Sequence, residues 1–182
     1  MFSLLDVWIV AITSLAIFFD ICFKKIPNWL ILLGLLGGFF LNGLAGLSFL
    51  YNSFFGFVVG VLVFFVPFAA GWLGAGDVKY FGVVGCLLGP RLLPRVLFYS
   101  ALAGGVLAVI SLVYHREARG LLASLRNIWL DCRIAVLSLG RGVSSIETKN
   151  EKKLETIPWG VAIGIGTIFA RYVDPNGNWS GF

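Results

Sequence analysis

Two aspartates stand in strongly apolar parts of this 182-residue chain. Asp20 lies near the end of an apolar run at 4–23, and Asp77 follows two glycines in the stretch Gly-Ala-Gly-Asp-Val-Lys at 74–79. A charge next to hydrocarbon is costly, so an acid in such a position is a candidate functional residue with a partner to be found. Each of these two aspartates is the best candidate partner of the other.

The remaining acidic residues are expected where a charge costs little. Asp6 lies near the N-terminus and Asp174 in the C-terminal tail, and the others fall in the polar stretch at 116–157. Only Asp20 and Asp77 are therefore predicted to have hydrophobic surroundings.

Two neighbouring carboxylates could hydrolyse a peptide bond. Carboxylates a few ångströms apart do not both ionise easily, so they share a proton and titrate as a pair. The ionised member can take a proton from water while the protonated member polarises a peptide carbonyl, with no metal or other cofactor. Taken singly, each acid also has a structural explanation, since Asp20 could pair with Lys24 and Asp77 could cap a helix.

Composition identifies the class of protein. Hydrophobic residues make up 59% of the chain and charged residues 13%, with a mean hydropathy of +0.93. Soluble domains are closer to one quarter charged, so we predict an integral membrane protein. The net charge of +5 comes from basic residues beside apolar runs, which indicates membrane topology and anionic lipid rather than nucleic acid.

The apolar runs predict an all-α bundle of about six transmembrane helices forming one domain, 1–182. Each long run can form a helix long enough to cross a hydrocarbon core of about 30 Å. Small residues four apart, such as Gly34 and Gly38 or Gly56 and Gly60, are expected to let these helices pack closely. The predicted spans are 4–23, 28–47, 53–72, 78–89, 96–114 and 158–172, with an outer turn near 42–52 between the second and third.

The orientation follows from the basic residues. Lys24 and Lys25 mark the end of the first span as cytoplasmic and place the N-terminus outside. The run 78–89 is short for a span, but if it crosses, only Arg91, Arg95 and Arg171 of the 14 basic residues lie outside. We therefore predict a short, protein-buried helix that crosses, with the C-terminus outside and Asp20 and Asp77 both near the cytoplasmic face.

The polar stretch 115–157 is predicted to be cytoplasmic and in part an amphipathic helix at the membrane surface. Apolar residues recur at helical spacing between 121 and 136, and arginines repeat every seven residues on the polar face. Surface anchoring is the simpler role for it, and substrate docking is the alternative.

Three motifs in order resemble those of the type IV prepilin peptidases, membrane aspartyl proteases of the GxGD class. The stretch 74–79 resembles the second aspartate motif of that family in full, and Asp20 with Lys-Lys-Ile-Pro-Asn at 24–28 resembles the first. Ile-Pro-Trp-Gly-Val-Ala-Ile at 157–163 resembles the opening of the last span, with Trp159 where a smaller aromatic residue is usual.

This resemblance implies a function. It makes Asp20 and Asp77 the catalytic pair of an endopeptidase that cleaves the leader peptide of prepilin-like or pseudopilin substrates after a glycine, at the cytoplasmic face of the inner membrane. Pilus or secretion machinery is the implied partner. The residues implied to support the pair are Gly74, Gly76, Lys79, Pro27 and Asn28, and the two glycines are also expected to permit positive φ and close approach of a substrate backbone.

The resemblance is to the short, peptidase-only branch found in tight-adherence (Flp-type) pilus systems. Larger members carry a cytoplasmic domain with paired cysteines and methylate the new N-terminus. Here Cys22, Cys86 and Cys132 are widely spaced, so they indicate neither N-methyltransferase activity nor a metal site. The alternatives are a small proton-coupled transporter, because intramembrane carboxylates also serve ion pathways, and a non-catalytic assembly factor of a pilus or secretion machine.

Overall fold

The described part of the protein is all helical. The computed structural model describes residues 3–69, 73–115 and 159–174, and contains no strand in these ranges. The chain divides into two compact units, 1–106 with 158–182, and 107–157. The helices are α1 (Leu4–Phe23), α2 (Asn28–Ala45), α3 (Leu47–Ala69), α4 (Ala75–Leu88), α5 (Leu93–His115) and α6 (Trp159–Ile168), which continues as a π-helical turn, Phe169–Val173.

The bundle is that of a membrane protein. Helices α1, α2 and α3 and the part Leu93–Ile110 of α5 are long and apolar enough to cross a bilayer. Large apolar side chains on them are exposed, among them Leu36 at 62% and Phe40 at 66%. Such exposure is unfavourable in water and natural against lipid. The predicted all-α membrane bundle is confirmed, while α4 and Trp159–Val173 are shorter than these four helices.

Helix α4 lies inside the bundle. Its residues from Tyr80 to Leu87 are all buried, and the ring of Phe81 stacks on that of Phe64 with centroids 4.1 Å apart. Gly56 of α3 and Gly85 of α4 touch through their backbones, where any Cβ atom would collide with a carbonyl of the other helix. The prediction of a short, protein-buried helix is confirmed. At 14 residues it is about 21 Å long, and its crossing of the membrane stays a prediction.

The predicted outer turn at 42–52 is wrong. Helix α2 continues to Ala45 and α3 begins at Leu47, so Gly46, at φ 132°, is the whole connection. Asn42, which suggested a loop, is buried and donates hydrogen bonds to Gly38 O and Cys86 O. An asparagine satisfied in this way is compatible with a helix, and it ties α2 to α4.

The last helix packs against the first. A Cβ atom on Gly164 of α6 would lie 2.6 Å from the side chain of Ile17 on α1, so the two helices are in close contact. Helix α1 also shares the buried core with α4. The cytoplasmic segment predicted at 115–157 lies, beyond His115, outside the described residues.

Candidate active site

Asp20 lies in the last turn of α1 and is only 5% exposed. Helix α1 ends at Lys24, which adopts a left-handed conformation (φ 50°) and donates its N–H to Asp20 O. The side chain of Asp20 turns toward α6, where its Oδ2 accepts a hydrogen bond from Val161 N at 3.0 Å. A buried carboxylate is thus held between the end of one helix and the beginning of another.

Asp77 lies in the first turn of α4, as its position behind the glycines predicted. Its Oδ2 accepts a hydrogen bond from Gly74 N at 3.2 Å, which caps the helix at its first residues. The carboxylate is partly buried, and Ile26 lies beside both Gly76, the residue before Asp77, and Gly160, which touches Asp20. The structure therefore brings together the two acids that the sequence singled out.

Gly160, in the first turn of α6, touches Asp20 directly. A Cβ atom on it would lie 2.8 Å from Asp20 Oδ2, 2.9 Å from Asp20 Cγ and 3.0 Å from Ile26 Cδ1. Real Cβ atoms do not approach so closely, so a side chain at this position would displace the carboxylate or Ile26. Close contact between Asp20 and α6 thus requires glycine at this position.

The two glycines before Asp77 do not have the predicted backbone. Gly74 has φ −77°, and Gly76 is not among the described residues with positive φ. Regular helical hydrogen bonding begins at Ala75, so neither glycine needs the left-handed region, and that part of the prediction is wrong. A Cβ atom added to Gly74 would lie 3.2 Å from Asp77 Oδ2. A Cβ atom added to Gly76 would come no closer than 3.9 Å to its nearest neighbour, Ile26.

The remaining predicted support residues connect α4 to α2. Lys79 Nζ donates to Asn28 Oδ1 at 3.2 Å, which links the first turns of the two helices. Pro27 is the N-cap residue of α2, with φ −69°. Its fixed φ suits a helix start, although it supplies no side-chain cap. The hydrogen bond between Lys79 and Asn28 thus links the beginning of α4, which carries Asp77, to the beginning of α2.

An open groove of about 360 Å³ lies between the end of α1 and the beginning of α2. Ile26 lines it and also approaches both Gly76 and Gly160, so the groove adjoins the two aspartates. Its other lining residues are Phe19, Phe23, Lys25, Pro27 and Asn28. In the described ranges, no group of three histidine, cysteine or acidic residues is placed to hold a metal ion.

A second group of buried acids was missed from the sequence. Asp6 is 8% exposed and Asp174 is 2% exposed, although both were predicted to lie outside hydrophobic surroundings. Asp6 Oδ1 accepts hydrogen bonds from Arg171 at 2.9 and 3.1 Å, and Asp174 Oδ2 accepts one from Tyr99 OH at 2.9 Å. The sequence signal that could have revealed this group is Arg171, which lies in an apolar run, because a cation in such a position requires a buried partner.

Comparison with known proteins places these residues in a family. The pattern of the type IV leader peptidase family matches residues 7–109, a range that includes Asp20, Asp77 and all the predicted support residues. Neither the curated proteins nor the solved structures gave a match. The predicted family is confirmed, and because the match covers more than half of the chain, the chain belongs to the type IV leader peptidase family.

Proposed function

We propose that this membrane protein is an aspartyl endopeptidase in which Asp20 and Asp77 together activate water. The observation that carries the proposal is that Ile26 lies beside Gly76, which precedes Asp77 on α4, and beside Gly160, which touches Asp20 of α1. The two acids are far apart in the sequence and both are at least partly buried, where a charge is costly, which supports a paired role. Paired carboxylates of this kind are the machinery of metal-free peptide hydrolysis.

The proposed reaction uses the two acids in different protonation states. The ionised carboxylate takes a proton from water, whose oxygen then attacks the carbonyl carbon of the scissile peptide bond. The protonated carboxyl donates a hydrogen bond to the carbonyl oxygen and stabilises the charge that develops there. The tetrahedral intermediate then collapses, the C–N bond breaks, and the amine leaves with a proton supplied by the pair.

The proposed substrates are the leader peptides of prepilin-like or pseudopilin proteins, cleaved after a glycine. This specificity is supported by the family match and by the resemblance of the three motifs. Lys24 and Lys25, next to Asp20, favour an orientation with the site at the cytoplasmic face of the inner membrane and with both termini outside. Pilus or secretion machinery is the proposed partner, and neither N-methylation nor a cofactor belongs to the proposal.

The test is reconstitution of the full chain in lipid vesicles with a synthetic peptide carrying a basic leader, a glycine and an apolar helix. We expect the wild type to release a fragment whose mass places the cut after the glycine. Asp20→Asn and Asp77→Asn, at unchanged melting temperature, should each leave the peptide intact. Cleavage by either variant would contradict the proposed pair.

The same vesicles also test the transporter alternative. With a pH-sensitive dye inside them, a proton flux that requires both aspartates, together with an intact peptide, would support transport and overturn the protease proposal. A wild type that produces neither cleavage nor flux in the presence of the peptide would instead support a non-catalytic assembly role.

A further inference from the structure

Asp20 takes a hydrogen bond from a helix far away in the chain. Its Oδ2 accepts the N–H of Val161, 141 residues further along, at 3.0 Å, and the neighbouring Gly160 lies against the same carboxylate. Both residues lie outside the range 7–109 matched by the family pattern. They must therefore be assigned a role from the geometry.

The beginning of α6 is suited to bind a carboxylate. The first four N–H groups of a helix have no partner within the helix. Helix α6 is described from Trp159 onward, and Val161, near that end, donates its N–H to Asp20 Oδ2. Gly160 also lacks the Cβ atom that would press on Asp20 Oδ2 and Cγ. A backbone donor and the absence of a side chain thus occur together where Asp20 meets α6.

We propose that Gly160 and Val161 are positioning residues that set the orientation of the catalytic carboxylate of Asp20. This inference rests on the proposed function. By fixing Oδ2, the backbone of α6 sets the rotation of the carboxyl group and with it the direction in which Oδ1 is presented. Asp77 is held in a similar way, since its Oδ2 accepts from Gly74 N at the beginning of α4.

Orientation matters because the proposed reaction needs the ionised carboxylate aligned with both the water and the protonated partner. A carboxylate without a fixed hydrogen bond would be free to rotate, and the water would lose its alignment. Misplacement of a reacting group by about 1 Å costs on the order of 100-fold in rate. The backbone N–H groups of α6 prevent this rotation without adding a charge next to the pair.

The first test compares two glycine substitutions. Gly160→Ala places a Cβ atom against the Asp20 carboxylate and Ile26, whereas a Cβ atom on Gly105 meets nothing within 4 Å, so Gly105→Ala is the matched control. With the peptide probe of basic leader, glycine and apolar helix, we expect Gly160→Ala to lower kcat by about 10- to 100-fold with KM within about twofold. Gly105→Ala should retain the wild-type kcat.

The second test removes the donor itself. Val161→Pro deletes the N–H that binds Oδ2, near the end from which α6 is described. Gly160 lacks the Cβ atom that contributes to the clash of a proline with the preceding residue. Val161→Ala keeps the N–H and is the control. We expect the kcat of Val161→Pro to fall about 10- to 100-fold below that of Val161→Ala.

The outcomes separate this inference from the proposed function. Equal kcat values for Val161→Pro and Val161→Ala would overturn the positioning role, even if Asp20→Asn and Asp77→Asn are inactive. A rise in KM at constant kcat would also overturn it, since α6 would then be contacting substrate. If Gly160→Ala melts far below the wild type, the comparison of Val161→Pro with Val161→Ala alone tests the positioning role. Cleavage by Asp20→Asn would overturn the proposed function itself.

Discussion

Helix α1 carries a buried aspartate near each end, and the two are satisfied in opposite ways. Asp6 is bound by a cation, with Arg171 on one carboxylate oxygen and the N–H and hydroxyl of Ser3 on the other. Asp20 is bound by the backbone N–H of Val161 on α6. Ile26 lies beside this contact and beside the helix turn that carries a second acid, Asp77. The same residue type on the same helix therefore has two different environments.

The difference shows which acid the fold uses for stability. A carboxylate bound by arginine and a helix cap is compensated, and it fastens the segments that it joins. The Asp6 end joins α1 to the π-helical turn through Arg171 and through Tyr172 OH, which donates to Asp6 O. Asp20 and Asp77 are instead bound by backbone N–H groups. Under the proposed function, this pair serves chemistry rather than stability.

The largest expected effect is the loss of peptide cleavage when Asp77, the proposed partner of Asp20, is replaced. Asp77→Asn should lower peptide cleavage at least about 1,000-fold, because the pair loses one of its two proton-carrying groups. Its melting temperature should not fall, since the substitution also removes repulsion from Asp20. Cleavage rate and melting temperature measured on one preparation check both parts. A lower melting temperature with cleavage retained would show that Asp77, like Asp6, serves stability rather than catalysis.

At the Asp6 end of α1, a loss of stability without a loss of cleavage is expected. Arg171→Gln removes the charge and the paired hydrogen bonds to Asp6 Oδ1 and should lower the free energy of unfolding by about 1–3 kcal/mol. Cleavage per folded molecule should stay at the wild-type rate. Arg91→Gln, at an exposed arginine, is the control. If Arg171→Gln lost cleavage without losing stability, the Asp6 end of α1 would serve catalysis, and the contrast with the Asp20 end would be wrong.

A smaller effect is expected from the contact that holds the beginning of α4. Asn28→Ala and Lys79→Met each break the 3.2 Å hydrogen bond between these residues. Each should lower the cleavage rate by roughly fivefold, and the double variant should be no slower than either single variant, because one interaction is lost in all three. Multiplication of the two losses in the double variant would show that the residues act separately.

The smallest effect is expected at Tyr99. Tyr99→Phe removes one hydrogen bond to the buried Asp174 and should cost ~0.5–1 kcal/mol in the free energy of unfolding, with no change in cleavage. Chemical unfolding of the variant and the wild type in the same detergent measures the difference. A loss of activity here would extend the functional region to the end of the protein that we assign to stability.

Sequence patterns located the two aspartates because their signal is local. A carboxylate at the end of an apolar run is unusual by itself, and two of them can be paired from the topology alone. The burial of α4 was also predicted from its sequence, since it is too short for an ordinary span. The family was predictable because its motifs are short and contiguous, as Gly74–Lys79 shows.

The contacts between distant parts of the chain were not predictable. The hydrogen bond of Val161 to Asp20 depends on how α6 packs against α1, which no spacing in the sequence records. Asp6 resembled an exposed end residue because its partner Arg171 is 165 residues away. Gly46 was taken as part of a long turn because a one-residue connection between helices leaves almost no compositional signal.

The most direct test of the account compares matched substitutions at the two ends of α1. Asp6→Asn and Asp20→Asn make the same chemical change, and each is assayed for cleavage of the leader peptide and for melting temperature in the same vesicles. We predict that Asp20→Asn abolishes cleavage and keeps the melting temperature, whereas Asp6→Asn keeps cleavage and melts at a lower temperature. Continued cleavage by Asp20→Asn would contradict the account.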